Sequence, residues 1–424
     1  MRGTRQSRKS FVTIPALLCL LLTCALLPHH ARAQAKTPET WLLRFQPTAS
    51  EDERAHTFAR LGATPVRWLA HNTVVQVQVR APGAVFASQA LADVADSIDY
   101  LEPDSVVTGD STPNDPAFSE ASKVYGLNKV EAPPAWDFSS DSSDIVLAIL
   151  DTGIDRGHIE FAGRIVAGYD FINDDDAPDD DHGHGTHVAG IAAAAADNGQ
   201  GSAGVCPRCQ IMPVKVLGSG NSGTWGTVAA GIYFAVDNGA RVINLSLTSS
   251  ATSRTLEDAI AYAQEHDVIV VAASGNAASS VPYYPAAIPW VVAVSATTDV
   301  DTLWSSSNIG EHLDLAAPGH RIYSTYKEGS YAYMTGTSMA SPYVTGLAGL
   351  VASLDSTLTA STIIDLMAAN ADDLGDEGKD AHFGYGRINA YATLFAANGG
   401  RPPAAEPEPP TAGSSLYLPA VVRS

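Results

Sequence analysis

Residues 336–342 read Gly-Thr-Ser-Met-Ala-Ser-Pro, which places Ser338 where a tight turn meets the predicted helix 338–354. The free N–H groups and the positive dipole end of a helix start favour negative charge that develops beside this hydroxyl. Pro342 is expected in the first turn of the helix, where a missing N–H is tolerated. Because a serine hydroxyl is a weak nucleophile, catalysis by Ser338 needs a base from elsewhere in the chain.

Two upstream stretches carry the side chains that such a nucleophile requires. Residues 151–154 read Asp-Thr-Gly-Ile, and residues 184–190 read His-Gly-Thr-His-Val-Ala-Gly. The chain order Asp, His, Ser is one of the orders known for such triads, that of subtilisin. The alternative is an esterase of the α/β-hydrolase type, whose nucleophile lies in G-x-S-x-G and whose histidine comes last. Here the serine comes last and residues 336–340 break that pattern.

With Ser-Gly-Asn at residues 274–276, these motifs make the chain from about residue 112 to residue 397 resemble the subtilisin-like serine proteases, peptidase family S8. Within that family the chain is similar to the calcium-rich thermitase-like branch. The resemblance implies that Ser338 attacks the scissile carbonyl, that His184 takes the hydroxyl proton, and that Asp151 orients His184. The alternative from another class is an inactive relative that binds peptides or surfaces.

The resemblance also implies an oxyanion site and a structural histidine. Asn276 follows a predicted strand, 268–273, and would donate to the oxyanion together with the backbone N–H of Ser338. Without the resemblance, Asn276 reads as an ordinary turn residue after a strand. His187 lies three residues after His184, and in the family pattern this second histidine is structural.

Substrate binding is expected along two extended segments that pair with the peptide backbone as added strands. The family usually has glycine where Thr248 stands, so its side chain would narrow the groove or tilt the peptide. The resemblance implies broad cleavage after apolar or aromatic residues. The residues that match the two segments are Ser219, Gly220, Asn221, Ser246, Leu247 and Thr248.

The acidic loop 173–181 holds six aspartates, a composition that suits Ca²⁺ but also a solvated loop. The thermitase-like pattern implies two structural Ca²⁺ sites, and an ion at the first would pin the mature N-terminus and stabilise the folded state. Glu160 and Asn173 both replace the aspartate of the family. The first site would comprise Asp115, Glu160, Asn198 and the carbonyls of Ala195, Gln200 and Ser202; the second would comprise Asp170, Asn173, Asp175, Asp179 and the Ala177 carbonyl.

Apolar strands alternate with helices from residue 144 onward, which predicts an α/β doubly wound fold with a mostly parallel central sheet. The resemblance makes this a three-layer subtilisin-like peptidase domain over residues 111–398. Residues 34–110 predict a small α+β domain with strands at 41–45, 73–79 and 98–101 and helices at 51–61 and 88–97. Its position and its Glu-Pro-Asp ending resemble an inhibitory propeptide; an unrelated N-terminal domain is the alternative.

Residues 1–33 combine a basic start, an apolar core and an Ala-Arg-Ala site, which indicates a secretory signal peptide rather than a membrane anchor. A lipid-modified Cys24 is a further, less favoured alternative. Once the signal is removed, Cys206 and Cys209 remain. In a secreted protein this pair predicts a disulfide, since a zinc site would need two more ligands.

The chain has 424 residues and a net charge of −21, which argues against nucleic acid and anionic membranes as partners. Residues 399–424 form a Pro/Gly/Glu-rich linker and a short apolar tail, either a cell-surface signal or a frayed end. The sequence therefore predicts a secreted, monomeric serine endopeptidase, made as a zymogen that its own propeptide inhibits and acting on polypeptides.

Overall fold

The computed structural model of the protein describes residues 40–69, 73–79, 93–103, 112–138 and 142–401. The predicted signal peptide, residues 104–111 and most of the C-terminal linker and tail lie outside these residues. Residue contacts divide the described chain into two compact units, 40–103 and 112–401.

The smaller unit is an antiparallel sheet with one helix. Its strands are ordered β2-β3-β1-β4, and the predicted helix and the three predicted strands are confirmed. The sequence prediction missed β2, whose burial does not alternate, and the described part of the helix predicted at 88–97 forms turns. The elements are β1 (Thr40–Phe45), α1 (Glu51–Leu61), β2 (Ala63–Leu69), β3 (Val74–Val79) and β4 (Ile98–Pro103).

The larger unit contains the strands and helices that follow. The strands are β5 (Val146–Asp151), β6 (Tyr169–Asp170), β7 (Gln210–Lys215), β8 (Val242–Leu245), β9 (Ile269–Ala273), β10 (Val292–Thr297), β11 (Leu315–Pro318), β12 (Ile322–Tyr326) and β13 (Ser330–Met334). The helices are α2 (Ala121–Lys129), α3 (Ala132–Ala135), α4 (His184–Ala193), α5 (Trp225–Asp237), α6 (Arg254–Glu265), α7 (Thr337–Leu354), α8 (Ala360–Ala369) and α9 (Ala390–Ala397).

A seven-stranded parallel sheet with the order β11-β10-β9-β8-β5-β7-β6 forms the centre of the larger unit. Alternate residues of β5 enter two separate cores, because successive side chains of a strand point to opposite faces. Helices α4 and α7 cover one face, and α5 and α6 cover the other. The predicted three-layer α/β fold with a mostly parallel sheet is confirmed.

The carboxyl ends of the parallel strands meet at one edge of the sheet, where open α/β sheets bind ligands. Asp151 is the last residue of β5, Ser246 follows β8 directly, and Asn276 follows β9. The same edge receives the first residues of α4 and α7. No helix in the described part of the chain is both long and apolar enough to cross a membrane.

Candidate active site

The buried pair His184 and Asp151 joins the start of α4 to the end of β5. His184 Nδ1 lies 2.7 Å from Asp151 Oδ1, which also accepts a hydrogen bond from the Thr152 N–H at 2.7 Å. Burial disfavours the imidazolium, but the charge and hydrogen bond of Asp151, with a further contribution from Asp180, raise the pKa of His184 above its ordinary value. The histidine is therefore oriented as a base whose Nε2 is left for another partner.

Ser338 is the second residue of α7 and is half-buried. Its Oγ donates to the Ser246 carbonyl at 3.2 Å, and among the described residues no hydrogen bond joins it to His184. Bonds of this kind often tighten only when substrate binds, so the free geometry does not disqualify the pair.

Pro342 lies inside α7 rather than in its first turn, which corrects the expectation from the sequence. A proline at this position removes the intrahelical bond to the carbonyl four residues earlier, which is that of Ser338. The Ser246 hydroxyl supplies the missing donor to that carbonyl at 2.9 Å and also lies 2.9 Å from Ser341 Oγ. The carbonyl that Pro342 leaves free therefore joins the start of α7 to the segment after β8 through this hydrogen bond.

Asn276 is exposed beside Ser338, and its amide is oriented by one neighbour. Its Oδ1 accepts from both the N–H and the Oγ1 of Thr337, at 2.9 and 2.8 Å. Its Nδ2 makes no hydrogen bond within the described part of the chain, so the amide presents a donor at this edge of the sheet. Thr337 was not among the predicted site residues, although it stands inside the motif at 336–342 next to Ser338.

A cavity of about 550 Å³ opens beside Ser338 and Asn276. Of the six predicted substrate-binding residues, Asn221, Ser246, Leu247 and Thr248 line it, while Ser219 and Gly220 form an exposed turn that does not. The apolar side of the cavity was not predicted from the sequence; the available signal was the aromatic residue Trp225 at the start of an apolar helix. That side is formed by Leu217, Trp225 and Val228.

The structure brings together the residues predicted for the first calcium site. Asp115 and Glu160 are buried, at 1% and 0% exposure, and within the described residues neither carboxylate forms an ion pair with lysine or arginine. Burial raises the pKa of Asp115, and backbone donors at Asp197 and Asn198 only partly oppose this. Glu160 accepts from Asn198 Nδ2, Ser202 N and the Tyr331 hydroxyl. The Arg164 guanidinium lies close enough to Glu160 for their charges to attract, and it donates to the Glu160 backbone carbonyl. Two buried carboxylates beside the side-chain amide of Asn198 fit a hard cation.

The residues predicted for the second site fit a cation less well. Asp179 forms a bidentate ion pair with Arg156, and its N–H donates to the Ala177 carbonyl. Asp170 is buried and accepts from Asn173 through both carboxylate oxygens. The Asp175 side chain accepts from the Ala177 N–H. Within the described residues no three His, Cys, Asp or Glu side chains group as a metal site, and both calcium sites stay predictions.

Two further predictions concern residues away from the reacting atoms. Cys206 and Cys209 are joined by a disulfide bond, and both are buried. His187 is buried, its Nε2 lies 3.1 Å from the carbonyls of Ile322 and Ala332, and burial lowers its pKa to about 4. A neutral histidine that donates to two backbone carbonyls suits the structural role implied for it.

Comparison with known proteins agrees with this geometry. The model of the subtilase family, Peptidase S8, matches residues 142–386. The chain is 45% identical to thermitase of Thermoactinomyces vulgaris over 283 residues, which cover 67% of this chain and 99% of that protein. It is 39% identical to a thermophilic serine proteinase of Bacillus sp. strain AK1 over 354 residues, 82% of this chain and 86% of that protein.

Among solved structures, a protease from Pseudoalteromonas arctica matches with a TM-score of 0.62 and 31% identity. The match covers 68% of this chain and all of that one. The chain therefore belongs to the subtilase family, in its thermitase-like branch, and is a subtilisin-like serine endopeptidase.

Proposed function

We propose that this chain is a secreted endopeptidase, made as a zymogen, that hydrolyses peptide bonds through an acyl-enzyme on Ser338. The observation that carries the proposal is the 2.7 Å contact between His184 and Asp151 at the same sheet edge as Ser338 and the Asn276 amide. Nucleophile, base, orienting carboxylate and oxyanion donor are the parts that acyl transfer to water requires.

In the proposed reaction, His184 Nε2 accepts the Ser338 hydroxyl proton as Oγ bonds to the scissile carbonyl carbon. Asp151 stabilises the imidazolium that forms, without itself taking the proton. The carbonyl oxygen becomes negative and accepts from Asn276 Nδ2 and the Ser338 N–H. His184 then gives the proton to the leaving amine, and water repeats these steps to release the acid and free Ser338.

The substrate is proposed to lie against the segments 219–221 and 246–248 by main-chain hydrogen bonds. The apolar side of the cavity, formed by Leu217, Trp225 and Val228, suits apolar side chains of a bound peptide. We propose broad specificity with an apolar or aromatic residue before the scissile bond.

The zymogen is proposed to comprise a signal peptide at 1–33, an inhibitory propeptide at 34–110, the peptidase domain at 111–398 and a linker with tail at 399–424. The antiparallel sheet and helix of residues 40–103 support a separately packed propeptide, since they have their own buried core. Removal of the signal would leave a monomeric protein outside the cell, with the tail as a candidate cell-surface signal.

We further propose one structural Ca²⁺ at the site of Asp115, Glu160 and Asn198, completed by the carbonyls of Ala195, Gln200 and Ser202. The chain's own contribution is two buried carboxylates, neither of which forms an ion pair with lysine or arginine among the described residues. These residues join the segment at Asp115 to the loop after α4, so their proposed role is stability rather than catalysis.

The test compares the purified full chain with Ser338→Ala, both folded in calcium, by gel and by hydrolysis of casein and a chromogenic peptide. The proposal expects the wild type to shorten by about the propeptide and to hydrolyse both substrates, while Ser338→Ala stays full-length and inactive. Hydrolysis that persists in Ser338→Ala would refute Ser338 as the nucleophile. Two folded proteins that are equally inactive after propeptide removal would favour a peptide-binding relative.

A further inference from the structure

Asp180 lies in the acidic loop directly before α4, and neither the triad nor the proposed metal sites use it. We propose that Asp180 is a positioning residue, which holds the start of α4 against the end of β5 so that His184 meets Asp151; the role rests on the proposed function above.

Asp180 caps α4 from outside the helix. The N-cap residue is Gly183, which has no side chain to cap with, although the first N–H groups of a helix need acceptors. Asp180 Oδ1 accepts from the N–H groups of His182 and Gly183, at 3.0 and 2.7 Å. Asp180 Oδ2 accepts from the N–H and the Oγ1 of Thr186, at 2.9 and 2.6 Å. One carboxylate therefore fixes the chain on both sides of His184.

The same carboxylate reaches the other half of the catalytic pair through Thr152. Thr152 Oγ1 donates to Asp180 Oδ1 at 2.8 Å and accepts from the Gly185 N–H at 2.9 Å. The Thr152 N–H donates to Asp151 Oδ1, the oxygen that also meets His184. Two hydrogen bonds, both through Thr152, therefore connect Asp180 to Asp151. The other hydrogen bonds of Asp180 hold the residues on either side of His184.

A buried lysine contacts Thr152 through its backbone carbonyl. Lys215 is 1% exposed, and its Nζ donates to the Thr152 carbonyl and to Asp181 Oδ1. Thr152 is therefore held by its hydroxyl through Asp180 and by its carbonyl through Lys215. Replacing Asp180 would weaken only the contact of the Thr152 hydroxyl. The end of β5 should therefore stay in place, because Lys215 still holds the Thr152 carbonyl, while the start of α4 loses its cap.

The negative charge of Asp180 also bears on the base. Burial lowers the pKa of His184, whereas the charges of Asp151 and Asp180 raise it. Removing the Asp180 charge should therefore lower the pKa of His184 and move the acidic limb of the activity profile to lower pH. Further titratable or charged groups lie around this site. They are Asp155 next to Thr186, Asp181 with Lys215 and Lys327, His182 before α4, His187 in α4, and Tyr326 of β12, which donates to the His182 carbonyl.

Three variants of the mature enzyme separate geometry from charge. Asp180→Asn removes the charge and one of the two acceptor oxygens, while Thr152→Val removes the hydroxyl link and leaves the charge. Asp176→Asn is the matched control, because it removes one carboxylate from the exposed part of the same loop. Each preparation is active-site titrated with a covalent serine reagent, and kcat and KM for a chromogenic peptide are measured from about pH 5 to pH 10.

Asp180→Asn is expected to lower kcat about tenfold or more with little change in KM, because a displaced base loses its alignment. Its acidic limb should move to lower pH, because one of the charges that raise the pKa of His184 is gone. Thr152→Val should lower kcat without moving the limb, and Asp176→Asn should match the wild type.

The proposal is overturned if active-site-titrated Asp180→Asn keeps the wild-type kcat and limb, or if Asp176→Asn reproduces its effects. If Asp180→Asn does not fold, an unchanged kcat in Thr152→Val overturns it instead. A wild type that is itself inactive would contradict the proposed function, which is a different result.

Discussion

Thr337 N and Thr337 Oγ1 both donate to Asn276 Oδ1, at 2.9 and 2.8 Å, and so decide which end of the Asn276 amide faces the cavity. The residue before the nucleophile thereby orients the proposed oxyanion donor. Thr337 is fully buried, and its Oγ1 also accepts from the Gly275 N–H, so its own position is constrained. This arrangement provides a preorganised donor that need not rotate when charge develops.

Asn276→Ala is expected to lower kcat about 10²–10³-fold with little change in KM, because the donor acts on charge that is absent from the ground state. That magnitude is the one measured in subtilisin, a relative of this chain, on removal of its own oxyanion asparagine. Steady-state kinetics on a chromogenic peptide would measure it, with Asn238→Ala at the end of α5 as the control. Equal losses in both variants, or a loss confined to KM, would contradict the assignment.

Thr248→Gly is expected to raise kcat/KM about tenfold for peptides with bulky apolar residues and to change little for small ones. Thr248 is exposed and lines the cavity, so its side chain occupies space that a bound peptide needs. A gain of this size is what removing one or two methyl-sized obstructions supplies. A series of peptides that differ at one residue is the measurement, with Thr252→Gly as the control. An unchanged ranking of the series would show that Thr248 does not limit the groove.

Chelation is expected to lower the melting temperature of inactive Ser338→Ala protein, which avoids self-digestion. An ion at one hundred times its dissociation constant contributes about 2.7 kcal/mol to the free energy of unfolding. Asp115→Asn and Glu160→Gln should lose this calcium-dependent increment. Asp365→Asn, which removes an exposed carboxylate of α8, should retain it. An identical melting temperature with calcium and with chelator would refute the proposed calcium site.

His187 predicts a pH dependence of stability. Its pKa is lowered from 6.5 to about 4 in the folded protein, so the unfolded chain binds a proton between these values that the folded chain does not. The free energy of unfolding is therefore complete above about pH 6.5 and falls as the pH drops toward 4, by up to about 3 kcal/mol.

Urea midpoints of Ser338→Ala protein at several pH values would measure the effect of His187. His187→Gln keeps an N–H donor for the carbonyls of Ile322 and Ala332 but does not titrate, so its slope in this window should be shallower. His266→Gln, at the exposed end of α6, should keep the full slope. Parallel slopes in all three proteins would exclude His187 as the source.

The local pattern of apolar and polar residues was sufficient to predict several of the strands and helices. The continuous apolar run before Asp151 predicts a strand buried on both faces, and β5 is that strand. Residues 224–238 predict a helix, and α5 lies within this segment with Thr224 as its N-cap. By contrast, the alanine-rich run after His184 predicts a helix as far as residue 196, but α4 ends at Ala193, and the Ala195 N–H donates to the Glu160 carbonyl. That partner is distant in sequence, so no periodicity near the helix could indicate it.

The sequence by itself determined the alternation of strands and helices in the larger unit and the family. It also determined the candidate residues Asp151, His184, Asn276 and Ser338, because each of them lies in a short contiguous motif. Only the tertiary structure decided how these side chains are held. Three hydrogen bonds between distant segments show this. One orients the Asn276 amide, one satisfies the Ser338 carbonyl that Pro342 leaves free, and one joins the Asp180 carboxylate to Thr152. Such bonds are directional and join residues far apart in the sequence, so the spacing of residues along the chain does not predict them.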